Sequence, residues 1–340
     1  MAADQERRKS TTRSDVAKLA GVAPTTVSAI LNGRAAELKI AEATVERVRD
    51  AVRELRYLPN AAARALRRQG SRTLGLMWSR GYRETITAAA THAHDLGYFT
   101  VLMNSTGDPR DAVMAVRDAG IAGLMCPTGG DHQAFGEELQ AAGIPVVWMD
   151  PYFTEDQGLP GPLIAIDLRV GARALADHLV ERGCRTLVAL AGPEAALPDR
   201  PTSPAAAGPR YQPLIERFGD GFSALHADGW SAGAGRAAVE RLLAGGKLPD
   251  ALFAANDRLA TGAMSACLRA GLKVPGDIAI AGFGDDDVSE CLTPALTTVA
   301  WPLAEFAERS VQLLVRAVDD ADHEAERHVL RTELVIREST

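Results

Sequence analysis

Residues 11–33 read Thr-Thr-Arg-Ser-Asp-Val-Ala-Lys-Leu-Ala-Gly-Val-Ala-Pro-Thr-Thr-Val-Ser-Ala-Ile-Leu-Asn-Gly. Two short helical patterns flank a turn at Gly21. In the first, Thr12 caps the free N–H groups, with Asp15 at the third helical position. Val16, Leu19 and Ala20 then form its apolar stripe. In the second, Pro24 suits a first helical position, where its missing N–H costs nothing. Val27, Ile30 and Leu31 form the second stripe, and Asn32-Gly33 stops the helix. Two short helices joined at a glycine describe a helix-turn-helix, whose second helix enters the DNA major groove. Any αα-hairpin shows the same spacing, so spacing alone leaves both readings open.

Charge separates them. The whole chain of 340 residues carries a net charge of −7, which argues against nucleic acid until it is divided. Residues 1–72 hold 15 Lys and Arg against 8 Asp and Glu, a net of +7, and the remaining 268 residues carry −14. The basic part coincides with the two-helix stretch, as an electrostatic footprint on DNA requires. The acidic part is repelled by phosphates. No apolar run reaches membrane-spanning length. The start, "MAADQERRKS", is polar and has no apolar signal-peptide core. Cys126, Cys184, Cys267 and Cys291 match no metal or disulfide spacing and are expected to be buried small hydrophobes. A cytoplasmic, reducing location is expected.

The stretch "DVAKLAGVAPTTVSAILNG" (15–33) resembles the start of the lactose/galactose repressor (LacI/GalR-type) family of bacterial transcription regulators. The likeness runs on through "VERVRDAVRELRYLPNAAARALR" (45–67). It resumes in "DGWSAGAGRAA" (228–238), "PDALFAANDRLATGAM" (249–264), "VPGDIAIAGFGDDD" (274–287), "LTPALTTVAWP" (292–302) and "LRTELVIREST" (330–340). The resemblance implies a DNA-binding regulator, most often a repressor, controlled by a small sugar-like effector held between two lobes.

On that basis residues 1–10 are a disordered lead and 11–58 a three-helix DNA-binding domain, whose third helix spans 41–56 with Val45, Val48, Val52 and Leu55 at helical spacing. The resemblance places base-reading positions at Pro24, Thr25 and Ala29, and phosphate contacts at Thr26, Ser28 and Asn32. Thr12 and Ser14 join the DNA-facing set. Two departures stand out: Ala23 and Ala29 occupy positions where many members carry Ser and Arg. Arg is the commonest reader of guanine, so the operator sequence does not carry over. Residues 59–72 resemble the family's hinge, with Asn60 as N-cap and an Ala-rich run behind it. The resemblance implies that Leu66 wedges into the minor groove while Arg64, Arg67 and Arg68 meet phosphates, once two copies order the segment on DNA. A solvated linker is the alternative.

From residue 73 onward, short apolar runs alternate with helical stretches. The strand-like runs are "TLGLMW", "FTVLMNS", "GLMCP", "VVWMD", "LIAID", "TLVALAG", "FSALHAD", "ALFAAND" and "IAIAGFG". Helical stretches fall at 84–96, 109–119, 132–142, 169–182, 233–245, 258–270 and 302–320. Such alternation specifies an α/β fold: parallel sheets with helices on both faces. The number of strands calls for two doubly wound lobes. The resemblance makes this body (73–340) periplasmic-binding-protein-like and serves both effector binding and dimerisation. Crossovers between lobes are expected near 160–165, 296–300 and 322–330. Lobe 1 then comprises about 73–162 and 298–325, and lobe 2 about 163–297 and 326–340.

Ligands in such sheets bind at the carboxyl ends of strands. Candidates there are Asp257 and Asn256 after "ALFAAND", Asp150 closing "VVWMD", and Asn104 closing "FTVLMNS". Helix capping is the alternative role for each. The family's "GFDD" reads Gly282-Phe283-Gly284-Asp285 here, with Asp285 as a possible substitute for the missing acid. The family's Arg-x-x-Gly-Phe/Trp pattern is not intact in the Pro/Ala-rich stretch after Gly192-Pro193. Arg200 falls near the expected position, with Arg210 and Arg217 as alternatives. The loop "WSRGYRE" (78–84) is shorter than in the family. These departures cluster at one site and suggest an unusual effector or a weakened response.

Gly233-Ala234-Gly235 after a strand resembles a dinucleotide fingerprint, a weak pattern alone. No zinc, serine-hydrolase or phosphate-loop motif appears, and no catalytic group, cofactor or metal is expected. A transport-type solute-binding protein would share the two-lobed fold but calls for a signal peptide and no basic head. An α/β enzyme calls for a reactive cluster. The expected partners are a pseudo-palindromic DNA operator, a sugar-like effector and a second copy of the chain, with no membrane.

Overall fold

The computed structural model describes residues 12–31, 35, 37–55, 71–77, 83–103, 109–153, 155, 158–193, 208–320 and 325–340. It divides into two compact units, Met1–Ser71 and Arg72–Thr340. The expectations for residues 1–10, Asn32, Asn104, Arg200 and most of the hinge, including Asn60, Arg64, Leu66, Arg67 and Arg68, lie outside the described residues.

The first unit contains helices α1 (Arg13–Ala20), α2 (Pro24–Leu31) and α3 (Glu42–Glu54). The Thr12 N–H donates to Asp15 Oδ2 at 2.8 Å, and the Asp15 N–H donates to Thr12 Oγ1 at 3.3 Å. This reciprocal box satisfies donors that the first turn leaves unpaired. Gly21 ends α1 in the left-handed region, at φ 65°. Val16, Ala17, Ala20, Val27, Ile30, Val45, Val48 and Ala51 form the small core, edged by Leu31, Val52 and Leu55. Leu19, expected in the stripe, is instead 47% exposed. The buried arc of α1 turns from Val16 through Ala20 to Ala17, which puts Leu19 outside it.

The second unit contains strands β1 (Thr73–Met77), β2 (Phe99–Met103), β3 (Gly123–Pro127), β4 (Val146–Asp150), β5 (Leu163–Asp167), β6 (Leu187–Ala191), β7 (Phe222–His226), β8 (Ala251–Ala254), β9 (Ala279–Gly284), β10 (Thr297–Ala300), β11 (Arg327–Arg331) and β12 (Glu333–Val335). Its helices are α4 (Arg83–Asp95), α5 (Pro109–Asp118), α6 (Gly130–Ala141), α7 (Arg169–Glu181), α8 (Gln212–Phe218), α9 (Ala232–Ala244), α10 (Asp257–Arg269), α11 (Val288–Cys291) and α12 (Leu303–Asp319). One sheet runs β2-β1-β3-β4-β5-β11 and the other β7-β6-β8-β9-β10-β12. The two are wired alike. Every neighbouring pair is parallel except β12, which returns antiparallel beside β10. β3, β4, β6 and β8 are buried throughout, as strands covered on both faces must be.

The crossovers fall later than the sequence suggested. β5 pairs with β4 and so completes the first sheet, and the chain leaves that lobe only after Asp167. β10 pairs with β9 and completes the second sheet before the chain returns after Ala300. β11 lies beside β5 and β12 beside β10, so the third passage is at Thr332. The boundaries expected at 162–163, 297–298 and 325–326 therefore move, because backbone pairing rather than the visible breaks in pattern assigns these strands. The cysteines also divide. Cys126 and Cys267 are buried, Cys184 is half-buried and Cys291 is exposed. Burial pushes the Cys126 thiol up to about 12 and the Cys267 thiol to about 11. Cys291 ends the one-turn α11, which is too short to cover it. No helix among the described residues is long and apolar enough to cross a membrane.

Candidate functional site

On the first unit, Thr12, Ser14, Pro24 and Thr25 are exposed and Thr26 and Ser28 half-exposed, so α2 presents its leading turn outward. Ala29, expected to read a base, is buried at 9% exposure. Its single methyl stands one turn after the longer Thr25 and Thr26 and below them.

On the second unit, strand order places a crevice where the carboxyl ends of both sheets converge. Tyr152 follows β4 in one lobe. Phe283 in β9, Trp301 just after β10, and Arg210 ahead of α8 belong to the other. Arg210 is only 8% exposed. Its guanidinium lies 4.5 Å from the Phe283 ring centroid, 5.5 Å from that of Trp301 and 5.9 Å from that of Tyr152. Nη1 donates to the Ala255 carbonyl at 2.5 Å. The rings continue edge to face: Tyr152 to Trp301 at 5.8 Å, Trp301 to Phe283 at 6.0 Å, Phe283 to Phe253 at 6.2 Å, and Phe253 to Tyr211 at 6.0 Å. Such edge-to-face contacts hold their partners in defined orientations.

Of the two candidate arginines among the described residues, it is therefore Arg210 that reaches the crevice. Arg217 is on the exposed side of α8, paired with Asp177 at 3.0 Å. In the sequence Arg210 shows only as one arginine at the end of a Pro/Ala-rich stretch. Tyr152, Phe283 and Trp301 were missed altogether. The one signal for Trp301 was an aromatic residue directly after an apolar run.

Asp257 is turned away from solvent. It is fully buried; Oδ1 accepts the Thr298 hydroxyl at 2.6 Å and Oδ2 accepts the Asp286 N–H at 2.8 Å. Burial raises its pKa, opposed by the Thr298, Asp286 and Ser289 hydrogen bonds. Glycines make room for this carboxylate. A Cβ at Gly282 would stand 2.1 Å from Oδ1, and one at Gly284, where φ is +147°, would stand 2.9 Å from Oδ2. The loss of the family acid at 284 and the inward set of Asp257 are thus two sides of one packing arrangement.

Asn256 serves as N-cap of α10: its Oδ1 accepts the Leu259 N–H at 2.7 Å and its Nδ2 reaches the Trp230 carbonyl at 3.4 Å. Asp285 sits at φ 62° and forms an ion pair with Arg337 at 2.8 Å, without hydrogen-bond alignment. Asp150 remains at the crevice end of β4 at 7% exposure, and accepts the Tyr152 N–H at 3.1 Å. Burial raises its pKa against the pull of Tyr152 and Thr128.

Gly235 of the Gly233–Gly235 pattern has a packing explanation. A Cβ at Gly235 would stand 2.5 Å from the Leu259 carbonyl, and one at Gly262 would stand 2.0 Å from the Ala232 carbonyl. These glycines let α9 and α10 touch backbone to backbone. Among the described residues, no group of three potential metal ligands comes together.

Residues 12–60 match the family described as "Bacterial regulatory proteins, lacI family", and residues 176–340 match "Periplasmic binding protein-like domain". The ribose operon repressor of Halalkalibacterium halodurans is 30% identical over 340 residues, covering 97% of each chain. The transcriptional repressor PurR of Vibrio campbellii is 28% identical, covering 96% of this chain and 97% of its own. Among solved structures, a lac repressor dimer bound to operator and the anti-inducer ONPF superposes with a TM-score of 0.74 at 26% identity, covering 97% of this chain and 99% of its own. With the helix-turn-helix geometry, the two like-wired lobes and near-complete coverage in agreement, the chain belongs to the LacI family and is a DNA-binding transcriptional regulator.

Proposed function

We propose that the chain represses transcription by binding a pseudo-palindromic operator as a homodimer, with a small sugar-like effector in the crevice altering its grip on DNA. The observation that carries this is the outward face of α2, with Pro24 and Thr25 exposed, on a three-helix unit within a segment of net charge +7. Thr12, Ser14, Thr26, Ser28 and Asn32 hold phosphates, and Pro24 and Thr25 meet base edges. Asn60, Arg64, Leu66 and Arg67 act as the hinge contacts. Arg210 and Asp150 touch the effector, while Asn256, Asp257 and Asp285 shape the pocket behind them.

The dimer face is on the first lobe. The edge strand β2 leaves Phe99 68% and Leu102 53% exposed, and α5 leaves Met114 59% exposed. An edge strand with apolar side chains in water calls for a partner. Effector and operator need differ by a coupling of only about 1–3 kcal/mol for control.

Fluorescence anisotropy on the DNA upstream of the chain's own gene tests the proposal. Salt-sensitive binding that changes with an added sugar or sugar derivative is expected. Affinity indifferent to salt and to every ligand tried would defeat it.

A further inference from the structure

Arg210 is a buried cation with no ion pair among the described residues. The carboxylates near its end of the sheets are committed elsewhere: Asp257 to Thr298 and Asp286, and Asp285 to Arg337. Asp150 accepts the Tyr152 N–H at 3.1 Å. A buried guanidinium without an anion is unfavourable, and three ring faces and one carbonyl offset that only in part.

The hydrogen-bond pattern sharpens the point. Ala255 takes Nη1, while Nε is buried with no partner. Trp301 Nε1, on a ring that the guanidinium covers, is likewise buried and unpartnered. The Tyr211 hydroxyl lies beside Arg210 without strict alignment; burial raises its pKa, and the charge and hydrogen bond of Arg210 oppose that rise. Native proteins rarely bury polar groups unsatisfied, and a cluster of them marks a place where something binds. Nε and Trp301 Nε1 are donors only. The side edge of the guanidinium, Nε with Nη2, has the fork geometry that fits two oxygens of one oxyanion.

A neutral polyol is a poor match for these groups. Its hydroxyls both donate and accept, and a site built for them needs acceptors. Among the described residues, the acid missing at Gly284 and the inward-turned Asp257 remove two acceptors and leave Asp150 at the end of β4, whereas the unpaired groups around Arg210 are mainly donors. Tyr152, at 51% exposure, covers Arg210 from the opposite lobe.

We infer that the effector carries an acidic group, a carboxylate or phosphate oxyanion, which docks on the Nε edge of Arg210 beside Trp301. This rests on the crevice being the effector site and names the chemical class it takes. Binding brings a counter-charge to the buried cation and ties the Tyr152 lobe to the Arg210 lobe through one ligand, which is how an effector biases a two-lobed body.

The test uses the full chain and matched probes: D-gluconate against D-glucose, D-ribonate against D-ribose, and the terminal phosphate esters of both sugars. Calorimetric titration is expected to show at least one acid or ester binding more than about tenfold tighter than its neutral twin. Preference for the carboxylates or for the esters tells which oxyanion it is. Arg210→Met should abolish that preference, and Arg210→Lys should keep part of it. Without ligand, Arg210→Met should melt at or above the wild-type temperature, since it removes an uncompensated buried charge. Three results overturn the inference: neutral twins binding as well as the acids, no acid or ester binding at all, or a clear loss of unliganded stability in Arg210→Met. If a neutral sugar binds and shifts operator affinity, the effector reading survives and only the acidic class falls. If an acid binds through Arg210 but leaves operator affinity unchanged, the inference holds and the regulatory reading fails.

Discussion

The backbone N–H of Gly171 donates to the Thr332 hydroxyl at 2.9 Å, joining the first and third passages between the lobes. Thr332 Oγ1 in turn donates to the Asp167 carbonyl at 3.1 Å. Val299, at the second passage, packs on the same spot: a Cβ on Gly171 would stand 2.4 Å from Val299 Cγ1 and 2.8 Å from Thr332 Oγ1. All three crossing segments therefore meet over one glycine that has no room for a methyl group.

Gly171→Ala is expected to destabilise the second unit by about 1–3 kcal/mol through overpacking. Thr332→Val should cost about the same, because it leaves a buried N–H unsatisfied. Urea unfolding of each variant checks this. Wild-type stability in Gly171→Ala would mean that the crossing segments part easily.

Asp150 provides a prediction with a defined pH dependence. Burial lifts its folded-state pKa above the ordinary carboxylate value of about 3.9. In the window above that value the folded chain holds a proton that the unfolded chain has released. Its contribution is full below the unfolded value and is lost as pH rises through the folded one. Asp150→Asn keeps an oxygen for the Tyr152 N–H and removes the charge. Its stability relative to wild type should rise with pH across this window and then level off, and the two chains should converge in acid. Thermal melts of both across the pH range read this directly; a gap that widens toward acid would contradict it.

The exposed edge of the first sheet predicts the assembly surface. Phe99→Glu combined with Leu102→Glu places charge on β2 where apolar side chains now face water. Light scattering should find wild type as a dimer and the double variant as a folded monomer that melts somewhat lower, since it has lost the stabilisation of assembly. Operator affinity should fall with it, since each half-site is then bound singly. A dimeric double variant would move the interface elsewhere.

On α2, Thr26→Ala should weaken binding to all duplexes about equally, and Thr25→Ala should alter preference at one base position. Competition assays against a library of operator variants separate the two effects. Equal loss from both would make Thr25 a phosphate contact.

Much of this fold could be read directly from the chain because its cues are local. Thr12 with Asp15, Gly21 and Pro24 mark helix ends by backbone chemistry that needs no distant partner. Runs such as "VVWMD" and "IAIAGFG" are uniformly apolar because central parallel strands are covered on both faces. By contrast β10 and β12 are short and β11 is largely polar, so only their pairing shows which lobe owns them. Leu19 deceived because a helix of eight residues offers two adjacent apolar arcs, and contact with α3 chose the other one.

The site divides in the same way. The sequence by itself determined a basic three-helix head, an acidic α/β body with strand ends carrying Asp150, Asn256 and Asp257, and membership of a regulator family. Tertiary structure alone decided that Asp257 turns inward to Thr298, that Asn256 spends itself on a cap, and that Arg210 rather than Arg217 enters the crevice. Capping and periodicity act over a few residues, whereas the orientation of a charged side chain depends on groups far along the chain, such as Thr298 for Asp257 and Tyr152 and Trp301 for Arg210. Only folding brings those groups within reach.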